Sequence, residues 1–231
     1  MLNNWENTDE FLKCDKVKNY YDMLKKKRLS LFFKRVFDIV VSAVMIVLLS
    51  PVLFIIAVMI KADSKGPVFY RQVRVTKNNR DFRIFKFRTM ITDADQKGSL
   101  VTVGNDSRIT KVGEKIRKVR LDELPQLFNI FTGDMSFVGT RPEVRKYVDA
   151  YTDEMKATLL LPAGVTSLAS IKYKDEDEIL AEHVEAGEDI DDAYINEVLP
   201  EKMKYNLDAM KHFSFFGEIG LMFKTVFEVV R

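Results

Sequence analysis

The sequence predicts an α+β chain: a mostly helical, membrane-associated domain with a small β-hairpin and an N-terminal re-entrant helix–break–helix. Three observations predict it. Ile39 to Ile60 is a run of 22 uncharged residues with Ser50-Pro51 near its middle. Two runs rich in aromatic and β-branched residues flank Asn78-Asn79. Most of the remaining apolar residues recur at helical spacing.

The apolar run would reach roughly 33 Å as one straight helix, enough to cross a bilayer. Pro51 lacks an N–H and its ring crowds the preceding turn, so a kink is expected at Ser50. The Ser50 hydroxyl can take a carbonyl freed by that kink. Each half is then about 17 Å long, sufficient to enter one leaflet and return. Lys25, Lys26, Lys27, Arg28, Lys34 and Arg35 precede the run, and Lys61, Lys65, Arg71, Arg74, Lys77 and Arg80 follow it. Basic flanks favour the cytoplasmic side and anionic headgroups, and a bent segment keeps both flanks there. A single straight span is the alternative. The polar N-terminus lacks a small-residue cleavage pattern, so the run is expected to be retained.

The other elements follow in order. Residues 1–38 are expected to form an N-terminal interfacial segment, with Phe32, Phe33 and Phe37 among basic residues at headgroup level. Residues 39–60 form the membrane hairpin, 61–170 the catalytic domain and 171–231 a C-terminal helical extension, membrane-associated or packed on the core. Gly66-Pro67 is a turn, Val68–Val75 and Asp81–Arg88 are strands, and 91–109 is a loop. Thr110–Arg120 reads as a short basic helix with Ile109, Val112, Ile116 and Val119 on one face. Asp122 is placed to cap a helix carrying Pro125 in its first turn. Met135–Val138 is a short apolar stretch, Gly139–Glu143 a rigid turn, and Val144–Leu161 a helix ending before Pro162. The acidic segment 175–192 reads as solvated helix and loop. Pro200–Lys211 is an amphipathic helix, and Ser214 caps a last helix that is apolar nearly all round.

A net charge of +2 over 231 residues offers no global basic field for nucleic acid. The single Cys14 permits no internal disulfide and has no zinc-ligand spacing around it. No Gly-rich phosphate loop, dinucleotide fingerprint or Ser/His/Asp arrangement is present. Adjacent Asp122 and Glu123 lie among Lys111, Lys115, Arg117, Lys118 and Arg120, with Lys86, Arg88 and Arg141 on elements able to fold back. Taken alone, such a pair is most often an acidic helix cap. Carboxylates amid arginines also suit a polyanion bridged by a divalent metal, and a carboxylate can attack phosphorus.

Lys34-Arg35-Val36-Phe37-Asp38, Ser50-Pro51, Gly66-Pro67-Val68-Phe69, Phe85-Lys86-Phe87-Arg88-Thr89-Met90, Leu121-Asp122-Glu123-Leu124-Pro125-Gln126 and Gly133 to Glu143 together resemble the bacterial sugar transferases, the monotopic phosphoglycosyl transferases. The resemblance covers about residues 30 to 170. It implies transfer of a sugar-1-phosphate from a UDP-sugar to polyprenol (undecaprenyl) phosphate with release of UMP, the first membrane step of a glycoconjugate such as an exopolysaccharide. It also implies Mg²⁺ as cofactor, anionic lipids and downstream glycosyltransferases as partners, and a monotopic place on the cytoplasmic face of the bacterial inner membrane. Carried over, Asp122 is the nucleophile and metal ligand, and Glu123 is an acid/base or orients the acceptor phosphate. Arg117 and Arg141 face phosphates, with Pro142 and Glu143 on the same substrate-binding turn. Lys86 and Arg88 are supports, and Ser50-Pro51 is the re-entrant break. Thr140 departs from the proline more usual there. The competing expectation is a membrane-anchored binding module without catalysis.

Overall fold

The computed structural model describes residues 1–92, 94, 107–173, 176–185 and 189–230. Parts of the 91–109 loop and of the acidic segment 175–192 lie outside the described residues. Helix α1 (Asp15–Lys25) leads into α2 (Arg28–Asp63), and then β1 (Phe69–Thr76) and β2 (Arg80–Phe87) form the expected antiparallel hairpin. Asn78 and Asn79 both take positive φ, 59° and 55°, which asparagine tolerates better than most side chains. Next come α3 (Lys111–Lys118), α4 (Gln126–Thr132), β3 (Met135–Val138), α5 (Arg145–Val148) and β4 (Ala163–Thr166). The C-terminal part is α6 (Leu168–Lys172), α7 (Glu176–Glu185), α8 (Ile190–Ala193), α9 (Leu199–Lys211) and α10 (Phe215–Val230).

Helix α2 is longer than the uncharged run, and it is not interrupted. The backbone stays helical through Pro51, so the expected helix–break–helix is one helix here. A local exchange explains the continuity. Pro51 cannot donate to the Val47 carbonyl four residues back, and the Ser50 hydroxyl donates to that same carbonyl at 2.8 Å.

One side of α2 is docked on the rest of the chain along most of its length. Arg35 donates to the carbonyls of Ile130 and Phe131 at 2.7 and 2.8 Å, satisfying the last turn of α4. Met45, Ile46 and Leu49 pack on Phe82, Ile84, Leu127 and Ile130. Ile56 and Ile60 pack on Phe87 and Ile116. Asp63 accepts from the Val112 N–H in the first turn of α3 at 3.0 Å. The opposite side leaves Val47, Leu48 and Phe54 about 70% exposed.

The largest core joins the two ends of the chain. Leu12, Val17, Tyr21 and Leu24 are buried against Leu159, Leu160, Leu199 and Met203. Val144–Leu161 is not one helix. It holds only α5 and a 3-10 turn at Met155–Leu160. Thr152 restarts the chain between them, its hydroxyl accepting from Met155 N–H at 3.4 Å. Ser214 caps α10 as expected, accepting from Gly217 N–H at 3.1 Å. Exposed Phe216, Phe223 and Phe227 run along α10, and Phe215 meets Phe33 and Phe37 of α2 edge to face or tilted.

Strands β3 and β4 pair in parallel, an element absent from the sequence expectations. At their end Gly139 and Gly164 touch backbone to backbone. A Cβ on Gly164 would lie 2.2 Å from the Gly139 nitrogen and 2.3 Å from its oxygen. Backbone cannot move aside as a side chain can, so Gly164→Ala should lower stability by about 3 kcal/mol, the upper end for overpacking. That corresponds to a Tm roughly 6–12 °C lower in a detergent thermal-shift assay. An unchanged Tm would show that the two backbones can part to admit a methyl group.

Candidate active site

Asp122 and Glu123 lie in a single 3-10 turn, Leu121–Glu123, between α3 and α4. Asp122 is not a helix cap. Arg120 precedes the turn in the left-handed region (φ 56°), and neither this turn nor α4 has a side-chain cap. A bulky residue is disfavoured there, and such strain gathers at functional sites. The strained reversal swings the turn against β2. Asn129 of α4 fixes the approach, because its amide accepts from Phe85 N–H at 2.8 Å and donates to the Arg83 carbonyl at 3.1 Å. Sequence reasoning missed Asn129. Its signal was a lone amide inside an apolar helical run.

Asp122 is only 9% exposed and lines a cleft of about 500 Å³ together with Tyr70, Gln72, Arg74, Lys86, Arg88 and Arg117. Among the described residues no cation forms an ion pair with Asp122, although Arg117 has a buried guanidinium nitrogen, Nη1, with no partner. Glu123 is placed differently. Its Oε1 accepts from Arg141 at 2.6 Å and from Lys86 at 3.1 Å.

The two adjacent carboxylates are therefore driven apart. Burial, then the charge of Glu123, raises the Asp122 pKa, against weaker opposing pulls from Lys86 and Arg117. Burial also works against the charge of Glu123, but Arg141 and Lys86 together overcome it and hold that carboxyl well below its usual range. Burial lowers Lys86 despite Glu123 beside it. The site thus holds one carboxylate whose ionised form is favoured by the two cations that clamp it. Beside it stands one carboxylate that is desolvated, lines the cleft and has no ion pair among the described residues.

The remaining expected site residues divide. Arg88 lines the cleft, and two of its guanidinium nitrogens serve structure, donating to the Lys65 carbonyl and, at 2.9 Å, to the Ser64 carbonyl just past α2, while its buried Nε has no partner among the described residues. Arg141 faces Glu123, and Arg141, Pro142 and Glu143 are not among the residues lining the cleft. Glu143 is buried behind it, accepting from the Tyr194 hydroxyl at 2.7 Å. Arg74, read from the sequence only as part of the basic flank, and Gln72 do line it. Among the described residues no three acidic, histidine or cysteine side chains cluster as a metal cage.

The fold and site define a membrane-associated chain with a basic, carboxylate-bearing cleft. The Bacterial sugar transferase family matches residues 29–231, and the chain belongs to it. It is 37% identical over 198 residues, 84% of its own length, to an Aeromonas hydrophila protein named UDP-N-acetylgalactosamine-undecaprenyl-phosphate N-acetylgalactosaminephosphotransferase. It is 33% identical over 204 residues, 87% of its length, to a Klebsiella pneumoniae UDP-glucose:undecaprenyl-phosphate glucose-1-phosphate transferase. The chain spans only 43% and 40% of those two relatives. A putative undecaprenyl-phosphate N-acetylgalactosaminyl 1-phosphate transferase of Bacillus subtilis is 35% identical over 135 residues, 58% of this chain and 75% of that one.

Proposed function

We propose that this chain transfers a sugar-1-phosphate from a UDP-sugar to polyprenol phosphate, releasing UMP, through a covalent intermediate on Asp122. The observation that carries the reading is the shared wall of one cleft: a desolvated Asp122 carboxylate with no ion pair among the described residues, together with Arg117, whose buried Nη1 has no partner among them. A carboxylate in that state is a competent nucleophile, and the arginine is a waiting donor for a phosphate oxygen. In the first step an Asp122 oxygen bonds to the sugar-bearing phosphorus, and the bond from that phosphorus to the UMP oxygen breaks. UMP leaves with the electron pair. In the second step an oxygen of polyprenol phosphate attacks the same phosphorus and returns the carboxylate. Arg117 would neutralise charge on the phosphates. Glu123, held ionised between Lys86 and Arg141, is better suited to orienting those two cations than to carrying a proton.

Mg²⁺ fits this donor set. Magnesium is commonly held by one or two carboxylates, with the substrate's phosphates and water filling its other positions. Asp122 is the protein ligand on offer, and the ion would supply charge neutralisation for the diphosphate.

The placement we propose is monotopic, at the cytoplasmic face of the inner membrane, with α2 kept helical but bent at Ser50-Pro51 when it enters the bilayer, so that it dips into one leaflet and returns. The support is that both ends of α2 touch the same domain, Arg35 through α4 and Asp63 through α3. A helix of 36 residues is roughly 54 Å long, and no bilayer fits between its ends when both rest on one body.

The test is UMP release from a panel of UDP-sugars with polyprenol phosphate and Mg²⁺, with intact-mass measurement of the protein after donor alone. The expected result is acceptor-dependent turnover with one donor, and added phospho-sugar mass on Asp122. If no donor releases UMP, the transferase reading falls. If UMP forms with no adduct at any time point, direct transfer replaces the two-step route.

A further inference from the structure

We propose that Tyr194 and Lys202, both supplied by the C-terminal helices, are positioning residues for the turn that carries Arg141, acting through the buried carboxylate of Glu143. The inference rests on the transferase reading above and adds to it the part played by the C-terminal third.

Glu143 stands two residues after Arg141 and is nearly fully buried. It is gripped from two sides. On the C-terminal side the Tyr194 hydroxyl donates to its Oε1 at 2.7 Å, and Lys202 lies 3.8 Å from the same oxygen. Lys202 also donates to the Tyr194 hydroxyl at 2.9 Å and pairs with Glu176 at 3.1 Å. On the cleft side Arg74 lies 4.0 Å from the other carboxylate oxygen and donates to the Pro142 carbonyl at 3.2 Å. The opposite edge of that guanidinium donates to Gln72 at 3.0 and 2.7 Å, and both Gln72 and Arg74 line the cleft. The backbone is tied as well, with Val75 N–H donating to the Glu143 carbonyl at 2.9 Å.

Two carboxylates and two cations meet directly in this network, with Arg141 close enough to feel both carboxylates. Glu143 and Glu176 face Arg74 and Lys202. Buried networks of this kind are stable only when every member is satisfied. Removing Lys202 leaves Glu143 short of a cation, and the nearest substitute is Arg74. Drawing Arg74 toward Glu143 pulls it off Gln72 and shifts the Arg141–Pro142 turn with it. The cleft wall formed by Gln72 and Arg74 would then lose its shape.

The local backbone agrees with a dedicated role for Tyr194. It opens a π-helical turn, Tyr194–Val198, between α8 and α9. Such turns insert an extra residue at some energetic cost and are frequent at functional sites. Its ring stacks on Tyr147 with centroids 4.5 Å apart, so the hydroxyl is aimed by packing rather than chance.

The experiment compares Lys202→Met, Tyr194→Phe and the double variant Lys202→Met/Glu143→Gln with wild type. It uses the full chain in detergent, well below each variant's Tm. The expected result is a donor KM raised about tenfold in Lys202→Met, within the range for directly coupled neighbours. Acceptor KM should stay within about twofold, and the double variant should return to within about threefold of wild type, because it removes both charges together. Tyr194→Phe should show a smaller shift of the same kind. It decides the matter if Lys202→Met does not fold. Wild-type donor KM in the single variants, an equal loss for both substrates, or no recovery in the double variant each overturns the inference. Calorimetric titration with UMP runs in parallel. Its affinities rank the variants even if wild type proves not to turn over, so failure of the transferase reading and failure of this inference are seen separately.

Discussion

Asp122→Asn should reduce UMP release at least about a thousandfold, as expected when a nucleophile is removed. The variant should melt at or above the wild-type temperature. Both halves come from the same environment. Asparagine keeps the shape of aspartate but offers no anionic oxygen to attack phosphorus. It also removes a charge that the fold tolerates poorly. Burial and the neighbouring Glu123 raise the Asp122 pKa in the folded chain. A carboxyl with a raised folded pKa binds its proton more tightly when folded than when unfolded, so stability is lost as pH rises through its titration. Near neutral pH the ionised side chain is a burden on the fold, and the amide is not. The measurement is a pair: a UMP-coupled assay and a thermal melt at the same pH. Wild-type turnover would remove Asp122 from the chemistry. A large fall in Tm would mean that Asp122 serves the fold instead, as a paired or bonded group.

The hairpin was readable because its pattern is local: aromatic and β-branched runs about two asparagines that accept positive φ. The last helix was readable for the same reason, with Ser214 in place to cap it. The parallel pairing of β3 with β4 was not. It joins residues about 28 positions apart, and each strand is only four residues long. The 144–161 stretch misled because its apolar spacing is helical, while Thr152 offers the backbone a competing partner. At the candidate site the carboxylate pair was visible as two adjacent acids amid arginines. Their division of labour was not, because it depends on which carboxylate Arg141 and Lys86 reach. The family resemblance turns Arg141 toward phosphates, and the structure adds its pairing with Glu123. The resemblance puts Glu143 on the substrate turn, and the structure buries its side chain against Tyr194. Pro51 announced a break, yet the Ser50 hydroxyl takes the freed carbonyl, so the helix runs through.

Replacing Val47, Leu48 and Phe54 together by lysine should release the protein from membranes without unfolding it. These side chains are about 70% exposed on the outward side of α2, so the fold owes them little. The helix they sit on has a mean hydropathy of 3.0 in its most apolar window, of which only 11% is buried within the protein. That surface requires a non-aqueous neighbour. Each lysine placed deep in a bilayer costs about 3 kcal/mol on insertion scales, so three oppose binding by roughly 9 kcal/mol. Some of that is recovered by lysines reaching headgroups, which leaves a partition coefficient lower by several orders of magnitude. The docked side of α2 is untouched: Arg35 still holds α4, and Asp63 still holds α3. The detergent-solubilised variant should therefore keep its melting temperature and its first half-reaction, UMP release on loading of Asp122. It should lose only turnover that needs an acceptor anchored in vesicles. Cosedimentation with anionic vesicles reads the first effect and single-turnover UMP release the second. A variant that still pellets would mean that α10, with Phe216, Phe223 and Phe227 exposed beside α2, holds the membrane unaided. A variant that lost the half-reaction in detergent would mean that the outward side of α2 supports the active site directly, contrary to the division between its two sides.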